Sequence, residues 1–317
     1  MAYEYLPITD PTWIETKEQL NVSDYIQVRP TNCADVPIGI PNWEPQPCCL
    51  SELFKNWEQE LRTFEVKSDD VWVASYSKNG TTWTQEMVWL ICNDLDFETA
   101  RNTHLRQRSP FLEISTLHKD RGNAFELLKN MPGPRVIKTH LPVGLLPPRI
   151  WSVKPKIVHV KRNPKSVAVS YFHHSKMTHF KGDLDQFIQL LKKDLHYFSP
   201  YHCHVIEYYE LQNYDNILYL CYEDMKRDLR SSVLKTCKFF GKTYTDEQID
   251  KLCQHLSFDS MKANDTVNYK DFGGEGRFMR QGTADGWKRE LNDHQIAEID
   301  RWTESAVEEK YRHLFNA

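Results

Sequence analysis

Four short apolar stretches constrain this chain more than any other feature, because each runs straight into polar or basic residues and then into a helix-forming segment. Val71-Trp-Val-Ala-Ser-Tyr76 reads as a buried strand and leads into Ser77-Lys-Asn-Gly-Thr-Thr-Trp83. Arg135-Val-Ile-Lys138 ends in Lys138-Thr-His140, and Lys156-Ile-Val-His-Val160 in Lys161-Arg162-Asn163. Asn216-Ile-Leu-Tyr-Leu-Cys-Tyr222 ends in Tyr222-Glu-Asp224. Strands that are apolar at nearly every position are buried on both faces, and their alternation with helices implies a parallel sheet covered on both sides. The expected fold is therefore α/β, a single domain over residues 1–317 with a central parallel sheet. In such sheets ligands bind beyond the carboxyl ends of the strands. Parallel strands would bring all four polar clusters to one rim.

The helices follow from periodicity. Leu53, Phe54, Trp57, Leu61 and Phe64 share a stripe, which predicts a helix over Ser51 to Phe64 at the end of an otherwise irregular segment 1–65. A helix is predicted from Thr82, with Thr82 and Gln85 as a capping box. Asn163-Pro164 reads as an N-cap followed by proline at the first helical position. Further helices are expected over Asp228 to Phe240, stopped by Gly241, over Thr245 to His255, and over Asn292 to Leu314.

Composition removes several classes of function. The 317 residues carry 40 Lys and Arg against 44 Asp and Glu, a net charge of −4 that argues against broad nucleic-acid binding. Any anion site must be local. No apolar run reaches the roughly 18 residues of a membrane helix. No CxxC pair occurs among the eight cysteines, and the start of the chain has neither a basic nor an apolar run, so a reduced, cytoplasmic protein without a metal is expected. His202-Cys-His204 is the only metal-like cluster, and a core or surface pair is the simpler reading.

The segment after the first strand has a mechanical meaning. Gly80 permits close approach of backbone to ligand. Thr81 and Thr82 open a helix whose free N–H groups favour an oxyanion, and Lys78 adds a full charge. This is phosphate-loop logic without the GxxxxGK[ST] spacing. With Lys138, His140 and Arg162 on the same rim, as parallel strands would place them, an anion site with a candidate base beside it is expected; solvent-exposed loop positions are the alternative for each residue taken singly.

Together these segments resemble the cytosolic sulfotransferase family. Its phosphosulfate loop, approximately YPKSGTTW, stands here as Tyr76-Ser-Lys-Asn-Gly-Thr-Thr-Trp83. Its KTHLP strand end is Lys138 to Pro142, and its Arg-to-Ser 3′-phosphate segment is Arg162 to Ser170. The YEDM element is Tyr222 to Met225, and the late FMRKG…WK segment is Phe278-Met-Arg-Gln-Gly282 with Trp287-Lys288. The wording around Ala74 and Thr82 also resembles insect members, a retinol dehydratase among them. The resemblance implies 3′-phosphoadenylyl sulfate (PAPS) as donor and adenosine 3′,5′-bisphosphate (PAP) as product.

The same resemblance implies site roles. Lys78, Lys138 and His140 would be catalytic, with His140 as general base. Lys78, Asn79, Gly80, Thr81, Thr82 and Trp83 would meet the 5′ end of the cofactor. Arg162, Ser170, Arg280, Gln281 and Gly282 would meet its 3′-phosphate, with Tyr222, Phe258, Phe278 and Met279 completing the cofactor site. Phe111 and Trp43 are expected in an apolar pocket for a small-molecule acceptor, such as a phenol, steroid or isoprenoid alcohol.

Four positions depart from the family pattern: Ser77 replaces Pro, Asn79 replaces Ser, Leu256 replaces Thr, and Gln281 replaces Lys. They lower the expected cofactor affinity and leave a non-catalytic, PAP- or ligand-binding relative as an alternative, alongside retinol-dehydratase-like elimination and a nucleotide kinase. The family's dimer motif is not recognisable over Lys288 to Ala297, so a monomer or another kind of dimer is expected.

Overall fold

The computed structural model describes residues 3–20, 24–117, 122–178, 180–269, 278–280 and 282–316. The segment read as irregular in fact begins with a three-stranded antiparallel sheet: β1 (Tyr3–Pro7), β2 (Tyr25–Pro30) and β3 (Cys48–Ser51), in that order. These strands are short, four to six residues, and β1 and β2 each end in proline, which leaves little alternation to read. The predicted helix over 51–64 is a 3-10 turn, Glu52–Trp57, followed by a short α-helix, Glu58–Arg62. Phe54, Leu61 and Phe64 are nevertheless buried, so the apolar stripe marked the core correctly and the regularity wrongly.

The central sheet has the predicted character. Strands β4 (Val71–Ala74), β5 (Val136–Thr139), β6 (Lys156–Lys161) and β7 (Ile217–Cys221) lie in the order β5-β4-β6-β7, and every neighbouring pair is parallel. Side chains alternate across it, as the two-residue period of a strand demands. Val71, Val73, Val136, Val158, Val160, Leu218 and Leu220 face one core. Trp72, Ala74, Ile137, Ile157 and Ile217 face the other. The first face is covered by the helices Thr81–Cys92 and Leu229–Phe239, the second by Pro164–Met177 and Tyr201–Glu210. Apolar runs were therefore needed on both sides of each strand. No helix among the described residues is long and apolar enough to cross a membrane.

Helix ends follow the predicted chemistry with two exceptions. The Asn163 side chain accepts from the N–H of Lys165 with Pro164 at the first turn, and Thr245 and Gln248 form a reciprocal capping box. The capping box at Thr82 does not form. The helix starts one residue earlier, at Thr81, capped by Gly80 in the left-handed region (φ 99°) with no side-chain hydrogen bond. The long C-terminal helix is Asp293–Ala306 and then, past an extended Val307, a 3-10 turn over Glu309–Leu314.

Candidate active site

Because the strands are parallel, their carboxyl ends line up, and the strand order reverses at β4. Here a cavity of about 730 Å³ opens, the crevice where open α/β sheets take ligands. Lys78, Gly80, Thr81, Thr82 and Trp83 reach it after β4, Lys138 and His140 from β5, Arg162 after β6, and Tyr222 after β7. The helix Pro164–Met177 adds Ser170, and chain segments far downstream add Phe258, Phe278, Met279, Arg280 and Gly282. Phe111 also lines the cavity, carried there by a one-residue bridge to Lys138 alongside β5.

Two expected residues, Trp43 and Asn79, fall elsewhere. Trp43 is not on the cavity wall: its indole N–H donates to Glu207 Oε1 at 3.2 Å. Asn79 is fully buried and turned into the sheet, where its amide donates to the Val160 carbonyl at 3.4 Å, so its side chain is not offered to a ligand. It sits between two residues of positive φ, Lys78 (68°) and Gly80 (99°). Gln281 lies outside the described residues. His202 and His204 are both buried and diverge, to the Thr303 hydroxyl and to the His140 carbonyl, so they do not form a pair of ligands.

The turn after β4 is packed to its limit. A Cβ on Gly80 would stand 2.6 Å from Cδ2 of Tyr222, and Gly80 has a positive φ besides. Only glycine fits. Tyr222 in turn lies edge-on to Trp83 (5.6 Å) and beneath the Arg162 guanidinium (4.1 Å). Gly282 is similarly pressed on the Phe258 ring. These contacts tie the loop after β4 to the two aromatic walls.

The cations are poorly compensated. Lys78 and Lys138 make no salt bridge among the described residues; Lys78 lies over the Phe278 ring and Lys138 over Phe111. Burial, reinforced by the charges of Lys138, Arg162 and Arg280, brings the Lys78 ammonium down to about 7. Burial likewise brings Lys138 to about 8, opposed by the charge of Glu113. Among the described residues Arg162 donates only to carbonyls, of Lys78 (3.2 Å) and Thr283 (3.4 Å), and its Nε has no partner. Uncompensated cations around a glycine turn and a helix N-terminus suit an anionic ligand with more than one charged group.

His140 is held for a different task. Its Nδ1 lies 2.7 Å from the Ser75 carbonyl, which can only accept, so the proton sits on Nδ1 and Nε2 keeps its lone pair. Burial and the neighbouring Lys138 charge hold the imidazole well below its ordinary pKa, so it is neutral near pH 7. Phe111 and Phe198 pack on either side, with ring centroids 5.0 and 5.1 Å away.

Sequence reasoning missed the residues that support these groups. Glu113 accepts from the His140 backbone N–H at 2.6 Å and from the Thr139 hydroxyl at 3.0 Å. Its burial raises the carboxyl to about 7. The Ser75 hydroxyl reaches Thr81 at 2.6 Å. Tyr25, Tyr197, Phe198 and His196 line the far side of the cavity. Only two stood near residues already singled out: Ser75, next to Tyr76 at the end of the first strand, and Glu113, two residues past Phe111.

Fold and rim together define an α/β enzyme whose oxyanion-binding strand, turn and helix face a neutral histidine. The sulfotransferase domain model matches residues 68–313. Luciferin sulfotransferase of Photinus pyralis is 40% identical over 281 residues, covering 80% of this chain and 76% of that one. Sulfotransferase 1A1 of Canis lupus familiaris is 38% identical, covering 79% and 88%. Among solved structures, a retinol dehydratase in complex with retinol and PAP superimposes with a TM-score of 0.85 at 26% identity, covering 98% of both chains. The chain belongs to the sulfotransferase family. It is thus a PAPS-dependent transferase, with PAPS as sulfuryl donor and PAP as the product left behind.

Proposed function

We propose that the protein moves the sulfuryl group of PAPS to a hydroxyl, or an amine, of a small and largely apolar acceptor, with His140 as general base. One observation carries this reading: a neutral imidazole with its proton fixed on Nδ1 shares a cavity with two lysines that make no salt bridge among the described residues.

Bound PAPS supplies an activated sulfuryl group on a phosphate leaving group. The remaining work falls to the chain. Lys78 offsets negative charge on the leaving side, and Lys138 with the N–H groups of Thr81 and Thr82 holds the 5′ oxygens. His140 Nε2 takes the acceptor proton as the bond to sulfur forms. Arg162, Ser170, Arg280 and Gly282 hold the 3′-phosphate, while Trp83, Tyr222 and Phe258 border the adenine. Phe111 and Phe198, which flank His140, keep the acceptor dry and oriented. A phenol, a steroid or an isoprenoid alcohol suits such walls. The single-domain reading rests on a cavity built from residues 25 to 287. A cytoplasmic site of action agrees with eight free cysteines.

The test is transfer of labelled sulfate from PAPS across a panel of phenols, steroids and isoprenoid alcohols. A folded, PAP-binding protein that sulfates none of them refutes the proposal. A second reading, elimination of a transiently sulfated allylic alcohol, is favoured by the retinol dehydratase likeness over 98% of both chains. Chromatography after incubation with retinol and PAPS separates the two: an anhydro product supports elimination, and a stable sulfate ester excludes it.

A further inference from the structure

Arg280, assigned above to the 3′-phosphate, already has an anionic partner. Its Nη2 donates to Glu290 Oε1 at 2.8 Å and its Nη1 to Oε2 at 3.2 Å. Both terminal nitrogens are thus spent on one carboxylate, in the bidentate geometry that would otherwise match two phosphate oxygens. Glu290 Oε2 also meets His173 Nε2. His173 sits three residues after Ser170 on the helix Pro164–Met177, so the two share a helical face. Glu290 itself follows the turn Gly286–Arg289, anchored by the buried Trp287. The carboxylate is therefore clamped between the helix that brings Ser170 and the segment that brings Arg280.

The charge state is consistent with an intact pair. Burial alone would raise the Glu290 carboxyl, but hydrogen bonds from Arg280 and His173 outweigh it and hold it below the ordinary value. Arg280 is also within electrostatic reach of Lys78, whose ammonium it depresses. Both it and His173 line the cavity.

We propose that Glu290 is a resident counter-ion that competes with the nucleotide 3′-phosphate for Arg280, and thereby weakens nucleotide binding and speeds release of PAP. This rests on the reading of Arg280 as a 3′-phosphate ligand. A dianionic phosphate and a carboxylate cannot share one guanidinium fork without mutual repulsion. Binding must turn Arg280 away from Glu290, and release lets the pair re-form. The side chains are 27% and 20% exposed, so solvent screening keeps the effect moderate, at about tenfold in affinity.

Calorimetry on five proteins with two nucleotides decides it. Glu290→Gln should bind PAP about tenfold more tightly than the unaltered chain. Adenosine 5′-monophosphate, which lacks the 3′ group, should bind both alike. Arg280→Ala should weaken PAP, and the double variant should show none of the gain. Glu290→Ala, run in parallel, gives the same direction and guards against an effect peculiar to the amide. If Arg280→Ala weakens PAP but Glu290→Gln leaves it unchanged or weaker, Glu290 orients Arg280 rather than competing, and the inference is wrong while the reading of Arg280 stands. If Arg280→Ala leaves PAP affinity untouched, that reading fails and the inference with it.

Discussion

The Ser75 carbonyl fixes the tautomer of His140. The two residues are 65 apart in sequence and follow neighbouring parallel strands, and the 2.7 Å contact from Nδ1 leaves Nε2 as the basic nitrogen. A backbone carbonyl cannot be removed by substitution, so this polarity is built into the register of β4 on β5.

Replacing His140 tests the consequence. His140→Ala should lower sulfuryl transfer by about 10²–10⁴-fold, the usual worth of a positioned base. PAP affinity, measured calorimetrically, should stay within a few-fold. A variant that keeps most of its turnover would show that another group takes the proton.

Lys78 predicts a pH effect with a definite sign. Its ammonium, at about 7 in the free protein, is mostly neutral by pH 8. An anionic nucleotide favours the charged form and raises that value. Binding at pH 8 should therefore take up a proton, and PAP affinity should be greatest below about 7 and fall as pH rises above it. Calorimetry in buffers of different ionisation enthalpy reads the proton directly. Proton release, or affinity independent of pH from 6 to 9, would contradict the assignment.

Gly80→Ala should damage both stability and binding. The left-handed backbone conformation costs a non-glycine residue about 1–2 kcal/mol, and the new methyl would meet Tyr222 at 2.6 Å. Tyr222 must then shift from beneath Arg162. Denaturant unfolding and PAP titration should both show losses.

A control for stability lies at the opposite end of the sheet. Arg135 donates to Asp70 through Nε (2.7 Å) and Nη2 (2.6 Å), and both side chains are almost wholly buried. Asp70→Asn leaves the guanidinium charge uncompensated and should cost about 3–5 kcal/mol. The folded fraction should keep its PAP affinity, because the pair sits beyond the amino ends of β4 and β5. A specific loss of binding with unchanged stability would be the opposite of what this position implies.

Much of this was legible beforehand. Strand positions, the parallel sheet and the rim clusters follow from apolar runs ended by polar residues, which are local patterns. Where the local pattern was ambiguous, it misled. The stripe over 51–64 marked buried residues but not a regular helix, and Thr82 looked like a cap because Gln85 stands three residues on, whereas the cap is Gly80, which has no side chain to signal one. Asn79 was assigned by its place in a loop pattern, and Trp43 only as an aromatic residue of the N-terminal segment. The direction in which each side chain points depends on backbone torsions and neighbours that no short stretch of chain records.

The sequence by itself determined which chemical groups would stand at the strand ends, because alternation and strand polarity are encoded within a few residues. Tertiary structure alone decided what those groups could do. The neutral His140, the lowered Lys78 and the Arg280–Glu290 pair depend on burial and on charges from separate stretches of the chain. Desolvation and Coulomb energy are functions of distance in space, and chain order leaves that distance open until the fold closes.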